Sequence, residues 1–113
     1  MGESADAEIR ALLERIQFQA AAERLRVTQH ATEKMARERI ELDEVLEAIR
    51  DAEIVEHYPE HRRGPCCLLS GSTMAGRQLH IVCTTAQPLL ILITVYEPKL
   101  PKWITSKLRR RKP

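Results

Sequence analysis

The chain has 113 residues, 43% of them hydrophobic and 30% charged, a length that builds one core and would leave two separate cores marginal. The longest apolar run, residues 89–95, is broken by Thr94 and is far short of the roughly 20 residues that cross a bilayer. With only three cysteines, Cys66, Cys67 and Cys83, the composition also argues against a fibre and a secreted disulfide scaffold.

The opening stretch, Met1-Gly2-Glu3-Ser4-Ala5-Asp6, is acidic and has no apolar centre, so no secretory signal is expected and a cytoplasmic protein is. Residues 4–26 predict one helix, with Ser4 as N-cap and Asp6 and Glu8 in the first turn, where they favour the helix dipole. Ile9, Leu12, Leu13 and Ile16 follow the i, i+3, i+4, i+7 spacing of one apolar stripe. Thr28 predicts the cap of a second helix over 29–39, and Leu42, Val45, Leu46 and Ile49 predict a third over 42–51. Glu41 stands where Ser or Thr would cap that third helix better. Beyond Ala52 the pattern changes to strands, at 53–58, 65–70, 78–84 and 89–96, with a turn at 74–77 and with Pro98 and Pro101 closing the sheet. The fold class expected is α+β, N-terminal helices followed by a four-stranded antiparallel sheet. The division expected is a helical extension at 1–26, an α+β domain at 27–104 and a basic tail at 105–113.

The net charge of +2 conceals two opposed halves: residues 1–60 carry 15 acidic and 8 basic side chains, residues 61–113 one acidic and 10 basic. A basic half attracts polyanions such as RNA, and Lys107, Arg109, Arg110, Arg111 and Lys112 are the candidate contacts. A tail that only aids solubility, or one that folds against the acidic helices, would have the same composition.

Four histidines are the candidate proton carriers. His30 has Lys34 and Arg37 at i+4 and i+7, so one helix face could hold a phosphate and move a proton; a solvated face with a packed imidazole fits the same spacing. His80 alternates with Leu79 and Ile81, which turns it toward the open face of the sheet if Ile81 points to the core. Thr94 and Tyr96, two apart in the last strand, can converge with it there, although ordinary cross-strand packing looks alike. His57 and His61 flank Pro59 and lack further ligands, and Cys66 and Cys67 point to opposite faces, so no metal is expected. The three cysteines read as small buried hydrophobes of a reducing compartment.

Five segments in order carry a resemblance. They are Thr28-x-His30-Ala31-x-x-Lys34-Met35, Val45-Leu46-Glu47-Ala48-Ile49, Glu53-Ile54-Val55-Glu56-x-Tyr58-Pro59, Gly76-Arg77-x-Leu79-His80-Ile81-Val82-Cys83, and Ile93-Thr94-Val95-Tyr96-Glu97-Pro98 with Trp103 beyond. Over about residues 27–103 the chain resembles the bacterial domain-of-unknown-function family 4258. The resemblance implies kinship with toxins of the RelE and BrnT type, metal-independent ribonucleases with helices followed by a curved antiparallel sheet, each silenced by an antitoxin. It implies a small partner of the zinc-finger antitoxin type, no cofactor, and functional positions at His30, Lys34, Arg77, His80, Thr94 and Tyr96. The chain departs from the family in carrying Lys34 where Arg is usual, and Glu38-Arg39 where Arg-Gly is usual.

The function expected is a toxin-like endoribonuclease. His30 or His80 would take the proton of a ribose 2′-hydroxyl, and Lys34, Arg37 or Arg77 would stabilise the charge growing on the phosphate. The alternative is a non-catalytic RNA- or protein-binding module, with few aromatics (Tyr58, Tyr96 and Trp103) for base stacking.

Overall fold

A computed structural model describes residues 3–62, 64–99, 103–105 and 108–109. The first helix, α1, spans Glu3–Ala21, so Ser4 lies inside it rather than capping it. It ends well before residue 26 because the chain closes a Schellman turn: Arg24 N–H bonds back to the Gln19 carbonyl at 2.9 Å, Glu23 N–H to that of Ala20 at 3.0 Å, and Glu23 takes a left-handed φ of 54°. The residues released from the helix form a short strand, β1, Leu25–Val27, which pairs in parallel with Leu90–Leu92. The helix expected over 4–26 is therefore a helix and a strand. Glycine, the usual signal for such a turn, is not used there.

The second helix, α2, spans Gln29–Glu38, and the Thr28 hydroxyl accepts from Ala31 N–H at 3.0 Å, as its position predicts. It closes with a second Schellman turn, in which Ile40 N–H reaches the Met35 carbonyl at 2.8 Å and Arg39 takes a left-handed φ of 56°. Helix α3 spans Leu42–Arg50; Glu44 reaches back to accept the Glu41 N–H at 2.9 Å, which offsets the missing Ser or Thr.

The strands β2 (Glu53–Tyr58), β3 (Cys66–Ser72), β4 (Gln78–Thr84) and β5 (Leu90–Tyr96) form the expected antiparallel meander. The sheet as a whole is not four-stranded and antiparallel, however. It is a mixed five-stranded sheet in the order β1-β5-β4-β3-β2, because β1 adds in parallel to β5. A separate antiparallel pair, β6 (Trp103–Thr105) and β7 (Leu108–Arg109), places three residues of the expected tail in strands.

One sheet face packs on the helices. Leu69, Leu79, Ile81, Cys83, Leu92 and Val95 join Ile16 and Ala20 of α1, Met35 of α2, and Val45, Ala48 and Ile49 of α3 in a single core cluster. Helix α3 comes so close to β3 that a Cβ on Gly71 would lie 2.0 Å from the Ala48 carbonyl oxygen. The free edge of β5 is covered throughout by residues 24–38. Leu90 N–H bonds to the Arg24 carbonyl at 2.9 Å, the Thr28 hydroxyl donates to the Ile93 carbonyl at 3.1 Å, and Glu97 N–H reaches the Glu38 carboxylate at 2.9 Å. That cover takes up edge groups of β5 that would otherwise be open to intermolecular pairing. No described helix is long and apolar enough to cross a membrane.

Candidate functional site

Helix α2 buries Ala31 and Met35 and turns His30 and Arg37 to solvent. These two lie on one line, two turns apart. Neither takes part in an ion pair among the described residues. Lys34, between them, is committed: its ammonium lies 3.1 Å from the Glu38 carboxylate. Burial pushes the Glu38 carboxyl up, but the Glu97 N–H and the Lys34 ammonium outweigh it and hold the group below the usual carboxylate range.

Arg77, expected as a phosphate-binding cation, is the centre of a clamp. Its guanidinium donates to the main-chain oxygens of Glu38 at 2.6 Å and Arg39 at 2.9 Å, and pairs with Glu97 at 3.1 Å and Glu44 at 3.3 Å. It thereby ties the start of β4 to the carbonyls that close α2, to the first turn of α3 and to the end of β5. The Glu97 hydrogen bond tightens its hold on its proton further, with Glu44 assisting. Lys34 and Arg77 thus each have a carboxylate partner, Glu38 and Glu97, and the two ion pairs are joined by the Glu97 main-chain N–H on the Glu38 carboxylate.

His80 and Tyr96 do come together, as their spacing predicts. They are register partners across β4 and β5; the His80 Nδ1 lies 3.2 Å from the Tyr96 hydroxyl, and the rings meet edge-on with centroids 5.3 Å apart. Thr94 stands on the same face, opposite Val82. That face is not open at His80, which is 0% exposed, contrary to the sequence expectation. Ser70 stands beside His80 in the same cross-strand row, and among the described residues its buried hydroxyl has no hydrogen-bond partner. Sequence reasoning missed Ser70, because only the β3–β4 register places it there.

Cys67 and Cys83 face each other across β3 and β4 on the core side, while Cys66 stands opposite Thr84 on the other side. All three are free and buried. His57 and His61 are both exposed. Of the basic tail, Arg109 lies in β7, while Lys107, Arg110, Arg111 and Lys112 lie outside the described residues.

A family model described as Domain of unknown function (DUF4258) matches residues 27–97. The chain belongs to that family. No curated protein and no solved structure matches it. The DUF4258 segment opens on the last residue of β1 and closes at Glu97, so it contains the α2 face, the Arg77 clamp and the His80–Tyr96 pair, while α1 precedes it. One departure from the family acquires a physical meaning here. Where the resemblance leads to an expectation of glycine, this chain holds Arg39 in the left-handed conformation that glycine adopts without strain.

Proposed function

We propose that this chain is a toxin-like, metal-independent endoribonuclease acting from the outer face of α2. The observation that supports this reading is the exposed, uncommitted pair His30 and Arg37 on one line of that helix. Their backbone positions are about 10 Å apart along the axis. An imidazole can therefore reach a ribose 2′-hydroxyl while the guanidinium holds a neighbouring phosphate.

In this mechanism His30 takes the 2′-hydroxyl proton and the freed oxygen attacks the adjacent phosphorus. The bond from phosphorus to the 5′-oxygen breaks, and that oxygen takes a proton from the imidazolium or from water. The products are a 2′,3′-cyclic phosphate and a 5′-hydroxyl. Arg37 stabilises the charge that grows on the phosphate. His80, buried against Tyr96, fastens β4 to β5 in this scheme and Arg77 fastens α2 to the sheet. The kinship with RelE and BrnT toxins and the zinc-finger antitoxin partner belong to the same proposal. They draw support from the motif order and from a sheet that follows two consecutive helices.

The test is an end-resolved cleavage assay on total bacterial RNA in EDTA, with the wild type beside His30→Ala and His80→Ala. Discrete cuts with cyclic phosphate ends, lost in His30→Ala, are expected. Loss confined to a folded His80→Ala protein would move the chemistry to the sheet face. Intact RNA in every lane would leave the second reading, a non-catalytic RNA- or protein-binding module. That reading draws on the carboxylates that neutralise Lys34 and Arg77.

A further inference from the structure

We propose that β1 and α2 together form a binding edge for the phosphate backbone of single-stranded RNA. The proposal rests on the RNA-directed reading above and adds a surface and an orientation to it. The linear sequence divides into an acidic half and a basic half, but the fold redistributes that charge. Within the acidic half, residues 24–39 carry five cations against two carboxylates, while residues 40–60 carry one cation against eight carboxylates. The first group forms β1 and α2, along one edge of the sheet; the second forms α3, which packs on β3, and β2, the opposite edge. Within residues 24–60 charge is therefore polarised across the strands, with cations on the β5 side and carboxylates on the β2 side.

The basic edge is a line rather than a spot. Residues 24–38 follow β5 in one direction, from the Arg24 carbonyl at Leu90 to the Glu38 carboxylate at Glu97. Seven residues of strand extend over about 23 Å, the reach of a short run of nucleotides. Arg24, Arg26, Arg37 and Arg39 are exposed along this line, and none forms an ion pair among the described residues. No large apolar side chain between residues 24 and 39 is exposed. A protein partner held at nanomolar affinity needs a buried apolar anchor. A sugar–phosphate backbone needs only a series of cations with hydrogen-bond donors, which arginines supply in bidentate form. The acidic edge, on the far side, repels a strand that approaches from the wrong direction.

The experiment is fluorescence anisotropy of a labelled single-stranded 2′-deoxy oligonucleotide, titrated with the full chain over a range of salt. The probe lacks the 2′-hydroxyl, so it stays whole whether or not the chain is a ribonuclease. Three proteins are compared: the wild type, an Arg26→Gln and Arg37→Gln double variant, and a tail variant with Arg109→Gln, Arg110→Gln and Arg111→Gln. Losing two phosphate contacts is expected to make the slope of log K against log salt shallower by about 1.4, and to weaken binding at 0.1 M salt about 25-fold. Wild-type affinity and slope in the double variant, with the loss confined to the tail variant, would overturn the proposal. So would absence of wild-type binding at low salt. A chain that binds this probe through the edge but cuts no RNA keeps the edge and loses the nuclease.

Discussion

Arg77, just before β4, and Glu97, just after β5, pair at 3.1 Å, and the guanidinium spends its remaining donors on Glu44 and on the carbonyls of Glu38 and Arg39. One side chain thus joins four elements and satisfies carbonyls that the end of α2 leaves open. Arg77→Ala is expected to lower unfolding stability by about 2–3 kcal/mol, read by urea denaturation with an unchanged m-value. Arg77→Lys keeps the charge but not the fork, and is expected to recover less than half of that loss. An Arg77→Ala protein as stable as the wild type would show that the clamp is incidental.

Glu38 links this clamp to Lys34, and its carboxyl titrates below the usual range. A carboxyl whose folded pKa lies under its unfolded value, about 4.3, contributes stability that is complete above that value. The contribution disappears as pH falls through the folded pKa. Stability is therefore expected to decline on acidification below about pH 5. Glu38→Gln is expected to flatten part of that decline and to cost about 0.5–1 kcal/mol at neutral pH. Unfolding curves at pH 3 to 7 measure both, and parallel pH profiles for the two proteins would count against the assigned role of Glu38.

Helices α2 and α3 and the β2–β5 meander are legible in the sequence because each carries its own local signal: the Thr28 cap, the 3.6-residue spacing in 42–50, and alternation or β-branched runs bounded by Gly and Pro. Strand β1 is not legible. It is three residues long, it follows a helix end marked by Glu23 rather than glycine, and it exists through its pairing with β5. Non-local pairing leaves no trace in a local window. The His80–Tyr96 pair could be read from alternation, but the burial of His80 could not. The role of Arg77 escaped for the same reason as β1, since Glu44 and Glu97 are remote from it in sequence, whereas the Lys34–Glu38 pair has the local i,i+4 spacing and was legible.

Gly71 is required by the approach of α3 to β3. An added Cβ would lie 2.0 Å from the Ala48 oxygen and 2.9 Å from its carbonyl carbon, both backbone atoms that cannot swing aside. Gly71→Ala is expected to destabilise by about 3 kcal/mol, the upper end of what overpacking costs. Gly76→Ala is the comparison, since that position has open space and only its φ of 89° opposes a side chain. Thermal melts of the two variants should rank Gly71→Ala well below Gly76→Ala.

The thiols should be silent in the folded protein. Burial pushes the Cys66 thiol up, and the contact with Cys67 followed by burial pushes Cys83 up well beyond its ordinary range. Thiolate is the reactive species, so a thiol-specific reagent at neutral pH should label none of the three before unfolding and all three in denaturant. Fast labelling of one thiol in native buffer would place that cysteine outside the core.

Arg39 sets stability against binding at one position. Its left-handed φ of 56° costs an arginine more than a glycine, and Arg39→Gly is expected to gain about 0.5–1 kcal/mol, a rise of a few degrees in Tm. The carbonyl that Arg77 holds is main chain, so the clamp survives the change. The lost guanidinium belongs to the basic edge, and the same variant should make the salt slope for single-stranded nucleic acid shallower by about 0.7. An arginine in a conformation that glycine would adopt more cheaply is explained if its charge is used. Arg39→Gly that gains stability and leaves the salt slope untouched would remove Arg39 from the edge.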